Sequence, residues 1–149
     1  MQPSPLENFS FHKAIQVRWA DLDPLQHVNN AVYFSYFEYA RGFYMIESSP
    51  TWDWSKHMFV IASASADFYR EVKFAREEPT IWVRTSRIGN KSFDCEYAIT
   101  TDGKDGVPIL HSLGKTVQVM YDTQSRKPTS VPDWLREELM AFEKDGTVN

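Results

Sequence analysis

The chain has 149 residues, and chains divide into separate hydrophobic cores only well beyond that length, so a single domain over 1–149 is expected. Its one cysteine, Cys95, excludes an internal disulfide and a zinc–cysteine cluster. With 16 basic and 20 acidic residues, a formal charge of −4 and no block of one sign, no nucleic-acid partner is expected. No apolar run approaches the ~20 residues that cross a bilayer, and MQPSPLENFS lacks the basic and apolar regions of a secretory leader. A soluble, cytoplasmic protein without membrane partners is the expectation.

In chain order, Phe11 to Trp19 alternates, with Ile15, Val17 and Trp19 on one face, and reads as a strand. ADLDPLQHVNN holds turn-forming residues without periodicity and reads as a loop. Asn29 and Asn30 then precede AVYFSYFEYARGFYMIES, where apolar residues recur at spacings of three and four, which predicts one long helix with an asparagine cap. Phe34, Tyr39, Phe43 and Met45 extend its apolar surface far beyond a stripe of ~100°, so the helix is expected to be wrapped by other structure. Glu38 and Arg41 are spaced to pair at i,i+3. Four strands are predicted at Met58 to Tyr69, Thr80 to Ile88, Ser92 to Thr101 and Ile109 to Tyr121, separated by hairpin-type turns, and a short amphipathic helix at about 133–143. This order implies an α+β domain with a segregated antiparallel sheet, its core at about 12–122. The sheet is long enough to curl lengthwise around the helix, leaving an edge that favours a second subunit. Aromatic residues make up 15% of the chain and crowd around Tyr33 to Tyr44, where they must fill a core, line a pocket or cover an interface.

One dense cluster of polar groups stands out, Asp21-Leu22-Asp23-Pro24-Leu25-Gln26-His27-Val28-Asn29-Asn30, between a strand and the start of the helix. The first turn of a helix presents unpaired N–H groups and a partial positive charge that can hold a developing oxyanion. A loop just before it can bring Asp23 and His27 to the same spot, an arrangement suited to acyl transfer from a thioester. Asp23 would act as general base on water or attack the carbonyl itself, with the backbone N–H of Asn30 or a neighbour on the carbonyl oxygen. A plain Asp-Pro turn, a capping asparagine and a hydrogen-bonded histidine would account for the same residues without catalysis. Cys95, in an alternating strand, reads as a small packing residue.

RWADLDPLQHVNNAVYFSYFEYAR resembles the signature of the hotdog-fold acyl-CoA thioesterases of the 4-hydroxybenzoyl-CoA thioesterase family, and the matching segment of plant acyl-carrier-protein thioesterases. The resemblance continues through DFYREVKFAREEPTIWVRTSRIGNKSFDCEYAIT, GKTVQVMYD and RKPTSVPDWL, over roughly residues 12–136. It implies a hotdog fold, in which an antiparallel sheet of about five strands wraps one long helix. It further implies hydrolysis of an acyl-CoA, or of an acyl-carrier-protein thioester, without metal or bound cofactor. Asp23 matches the family's general base or nucleophile, His27 a supporting histidine of the plant enzymes, and Asn30 the helix-start residue whose N–H polarises the carbonyl. Where the plant enzymes have a participating asparagine, this chain has Leu25. Another hotdog branch uses a glutamate on the central helix, which makes Glu38 an alternative, while Asp21 is expected to shape the turn.

Tyr33 and Tyr36 are placed to line the core or the acyl pocket. Coenzyme A carries phosphates, for which Arg70, Lys73 and Arg76, or Arg87, Lys91 and Ser92 at the Gly89-Asn90 turn, are candidates, with the last three preferred. The resemblance also implies a homodimer or homotetramer with sites at the subunit boundary. The competing functions are a non-catalytic acyl-thioester binding module and a hotdog dehydratase or hydratase.

Overall fold

The computed structural model of the chain describes residues 4–73, 78–144 and 147–149. In chain order it has β1 (Phe11–Ala14), a 3-10 turn (Trp19–Asp21), α1 (Asn30–Ser48), β2 (Phe59–Phe68), β3 (Thr80–Ile88), β4 (Ser92–Asp102), β5 (Pro108–Asp122), β6 (Lys127–Pro128) and α2 (Asp133–Phe142). All strand pairs are antiparallel, in the spatial order β1-β3-β4-β5-β2, and the two-residue β6 hangs on β5. β6 is an addition to the five strands read from the sequence. Its brevity leaves no periodicity to find.

The Asn29 side chain accepts the Ala31 N–H at 3.0 Å and starts α1. Tyr33, Tyr36, Phe37, Ala40, Tyr44 and Met45 then form the buried face, at the three- and four-residue spacing that a helix requires. They pack on β3, β4 and β5, where Ile81, Val83, Phe93, Cys95, Tyr97 and Ile99 are buried. β4 lies at the centre of the sheet and is buried through nearly all its length.

Three expectations change. β1 ends at Ala14 instead of reaching Trp19; Asp21 takes the Arg18 N–H at 2.9 Å where the chain enters the 3-10 turn, and Trp19 is 71% exposed. The helix is covered on one side only by its own sheet: Tyr39, Phe43 and Ile46 are 47%, 43% and 54% exposed. Arg41 does not pair with Glu38. Its guanidinium is buried, donates to the Tyr97 hydroxyl at 3.0 Å and lies over the Phe59 ring, while Glu38 stays in solvent.

Beyond β1, the free edge of β3 is covered by the chain's last residues. The Ile88 N–H donates to the Asn149 carbonyl, the Asn149 N–H to Ser86, and the Thr85 N–H to the buried Glu143 carboxyl. The opposite edge, on β2, has no strand against it among the described residues.

Candidate active site

Asp21 and Asp23, two residues apart, sit in opposite surroundings. Asp21 is 1% exposed and accepts from the Arg18 guanidinium at 2.8 and 3.1 Å, from the Arg18 N–H, and from the Tyr36 hydroxyl at 2.7 Å. Burial pushes its carboxyl up, but the hydrogen bonds and charge of Arg18, with Tyr36, outweigh that and hold it below the ordinary value of 3.8. Burial and the Asp21 carboxylate push the Tyr36 phenol far above its usual range. Asp21 therefore shapes the turn, as expected, as a carboxylate held by Arg18 and Tyr36.

Asp23 is half-buried at the head of a tight turn. Its Oδ1 accepts the Leu25 N–H at 2.9 Å and the His27 N–H at 3.1 Å, and its own N–H donates to the His27 carbonyl at 2.8 Å. The turn closes through Gln26, whose φ of 62° is left-handed. Both bonds to the carboxylate fall on Oδ1; Oδ2 has no hydrogen bond among the described residues. Leu25, which stands where the plant enzymes have an asparagine, contributes a backbone N–H and exposes its side chain. The turn is anchored on one side by Asn29 N–H to Asp21 carbonyl and on the other by Val28 N–H to Val72 carbonyl, both 2.9 Å, with His27 bridged to Lys73.

Asp23, His27, Asn30 and Tyr33 line one open cavity of about 460 Å³. Asn30 is the first residue of α1, so its N–H has no acceptor within the helix and lies at the positive end of the helix dipole. The facing wall comes from the end of β2 and the segment after it, Phe68, Tyr69, Arg70, Glu71 and Lys73, and from Ile109 and His111 of β5.

Buried His111 ties these walls together. Its Nδ1 lies 3.0 Å from the Glu71 carbonyl, which can only accept, so Nδ1 carries the proton. Nε2 meets the Thr101 hydroxyl at 2.6 Å. Nothing in the sequence around His111 marks it, because its partners are 10 and 40 residues away.

The phosphate candidates divide. Arg70 and Lys73 line the cavity; Arg76 lies outside the described residues. Arg87, Lys91 and Ser92 do not line it. They sit at the β3–β4 hairpin, beyond Thr85, and Thr85 meets Tyr44 roughly 21 Å along α1 from Asn30. Asp94 lies 4.0 Å from Arg87. Glu38 does not line the cavity either, and the buried Cys95 thiol is pushed up to about 12 by burial, too high for a nucleophile. An ionisable carboxylate, a histidine and an unpaired helix-start N–H facing one cavity can activate water toward, or attack, a carbonyl held between them.

The family model described as the Thioesterase-like superfamily matches residues 17–139. The uncharacterized protein YsmA of Bacillus subtilis (strain 168) is 32% identical over 133 residues, 89% of this chain and 87% of its own. A Thermus thermophilus thioesterase solved with coenzyme A and zinc is 34% identical, with a TM-score of 0.77 over 91% of this chain and 96% of that one. A 4-hydroxybenzoyl-CoA thioesterase solved with 4-hydroxybenzoyl-CoA shares the fold at 17% identity, with a TM-score of 0.78 over 87% of this chain and 97% of that one. The protein belongs to the thioesterase-like superfamily and is a thioester hydrolase with the hotdog fold.

Proposed function

We propose that the protein hydrolyses an acyl-CoA thioester to the free acid and coenzyme A, with Asp23 as general base or nucleophile. The observation that carries this is the sharing of one cavity by the Asp23 carboxylate, His27 and the helix-start N–H of Asn30. As base, Asp23 takes a proton from water as the water oxygen attacks the carbonyl carbon; as nucleophile, it forms an anhydride that water then opens. In either case the carbon–sulfur bond breaks and the thiolate of coenzyme A leaves. The Asn30 N–H holds the oxygen on which charge develops. His27 supports Asp23 through its backbone N–H and lines the same cavity.

Tyr33 lines the acyl end, and Arg70 and Lys73 offer charge to the phosphates. That the Thermus relative was solved with coenzyme A supports this carrier over an acyl-carrier protein. Arg87, Lys91 and Ser92, remote from Asp23 in their own chain, would contact only a substrate held by another subunit. A second copy of the chain fits the open edge of β2, giving a homodimer that can pair again into a tetramer.

The test is thiol release over a panel of short, aromatic and long acyl-CoAs, with Asp23→Asn beside the wild type. Loss of a general base is expected to lower kcat about 10²- to 10⁴-fold. Absence of turnover on every substrate, with tight acyl-CoA binding by calorimetry, would establish a binding module instead.

A further inference from the structure

Behind the Tyr33–Phe68 side of the cavity, helix and sheet close on each other through aromatic residues. Tyr33 of α1 and Phe68 of β2 meet edge to face, with ring centroids 5.0 Å apart, at the inner wall of the cavity. One pleat further in, roughly 7 Å along the sheet, Ala66 of β2 pairs with Gly114 of β5, and Gly114 with Tyr97 of β4. One helical turn on from Tyr33, Phe37 fills the space above them. It is fully buried and stacks on Tyr97 at 4.5 Å and 19°. A Cβ on Gly114 would lie 2.4 Å from the Phe37 ring, so the ring rests directly on the β5 backbone. Behind this layer the interior is polar: the buried Arg41 guanidinium donates to the Tyr97 hydroxyl, which meets Thr116 at 2.6 Å. An alkyl chain entering between helix and sheet meets first a closed aromatic layer and then a charge that it cannot solvate.

We infer that Phe37, stacked on Tyr97 over Gly114, is a specificity-determining stop that confines the site to compact acyl groups, a short chain or a single ring. The inference rests on the thioesterase function proposed for this cavity and adds to it the class of acyl group.

The experiment measures thiol release from butanoyl-, benzoyl-, octanoyl- and hexadecanoyl-CoA by the wild type and by Phe37→Ala, with Phe37→Leu as the milder variant should the alanine variant fail to fold. The wild type is expected to use butanoyl- and benzoyl-CoA and to fall sharply in kcat/KM at octanoyl. Removing the stop should raise octanoyl-CoA turnover about tenfold relative to butanoyl, the gain from burying a further one or two methylenes. Hexadecanoyl-CoA should stay poor because Arg41 lies behind. Adding Gly114→Val to Phe37→Ala refills the space from the sheet side and should abolish the octanoyl gain, which a general loosening of the fold would not. Comparable wild-type turnover of all four substrates would overturn the stop alone, as would an unchanged chain-length profile in a folded Phe37 variant. No release from any of the four would overturn the thioesterase function, and the stop with it.

Discussion

Two aspartates separated by a leucine divide the work at the turn: Asp21 holds the backbone and Asp23 faces the cavity. Asp21 has a depressed carboxyl, so its ionised form stabilises the fold above the unfolded value of 3.8, and that contribution is lost as pH falls through the lower folded value. Asp21→Asn should therefore cost about 2 kcal/mol at neutral pH, by weakening charge-assisted bonds to Arg18 and Tyr36, and the gap should narrow as pH falls below the unfolded value of 3.8. Melting temperatures of both proteins between pH 3 and 8 check this; a gap independent of pH would contradict it. At this scale Asp23, His27, Asn30 and Tyr33 were legible because one contiguous stretch of chain carries them all into the cavity. Arg70 and Lys73 stand among the phosphate candidates in the sequence but rank behind the Gly89-Asn90 turn, and His111 does not stand out, since all three reach the cavity from β5 and the segment after β2, whose placement is a long-range property. Arg87, Lys91 and Ser92 were visible as polar residues beside a turn, but the sequence does not tell which end of the sheet that turn occupies, nor that it is far from Asp23 within one chain.

The elements were legible from periodicity. The long helix, the strand Thr80–Ile88 and the strand starting at Ser92 emerge where their apolar spacing places them, whereas the first strand stops at Ala14 and Trp19, read with it, falls in a 3-10 turn, the Arg18 N–H held by the Asp21 side chain. Contacts between distant elements are the part that patterning does not carry. The clasp at Glu143 is one. Just beyond α2, its carboxyl accepts the Tyr44 hydroxyl and the Thr85 N–H at 2.8 Å, and covers the edge of β3. Burial pushes this carboxyl up against the pull of those hydrogen bonds and of Arg84 and Lys144, and one oxygen, Oε2, is buried with no hydrogen-bond partner among the described residues. A raised folded value means that the contribution of the protonated form is fully present below the unfolded 4.5 and is lost as pH rises through the folded value. Glu143→Gln, which cannot ionise, should therefore gain stability relative to the wild type as pH rises from 4 to 8. Denaturant midpoints at several pH values measure that gain; a constant difference would show that folding does not raise the Glu143 carboxyl.

At the scale of the molecule, the single chain leaves two features unfinished. β2 has a ten-residue edge open to solvent, with Val60 and Ile61 each 42% exposed, and α1 shows Tyr39, Phe43 and Ile46 outward. The excess of aromatics in the sequence thus fills a core, lines a cavity and faces outward on one helix. Long edges with few charges invite pairing, and a lysine on such an edge blocks it. Ile61→Lys is expected to convert the proposed dimer to a monomer and to lower activity with it; sedimentation velocity with parallel thiol-release assays reads both. A fully active wild-type monomer would remove the second subunit from the site.

The most direct test of Asp23 as the reacting carboxylate separates binding from chemistry. Asp23→Asn is mixed in excess with butanoyl-CoA or benzoyl-CoA, the dissociation constant is taken by calorimetry, and a single turnover is followed by rapid quench. Binding within about threefold of a catalytically silent wild-type complex, such as that with a non-hydrolysable thioether analogue, together with a chemical step slowed about 10²-fold or more, is the predicted result. An unchanged single-turnover rate would contradict it and would move the reaction to another group in the cavity.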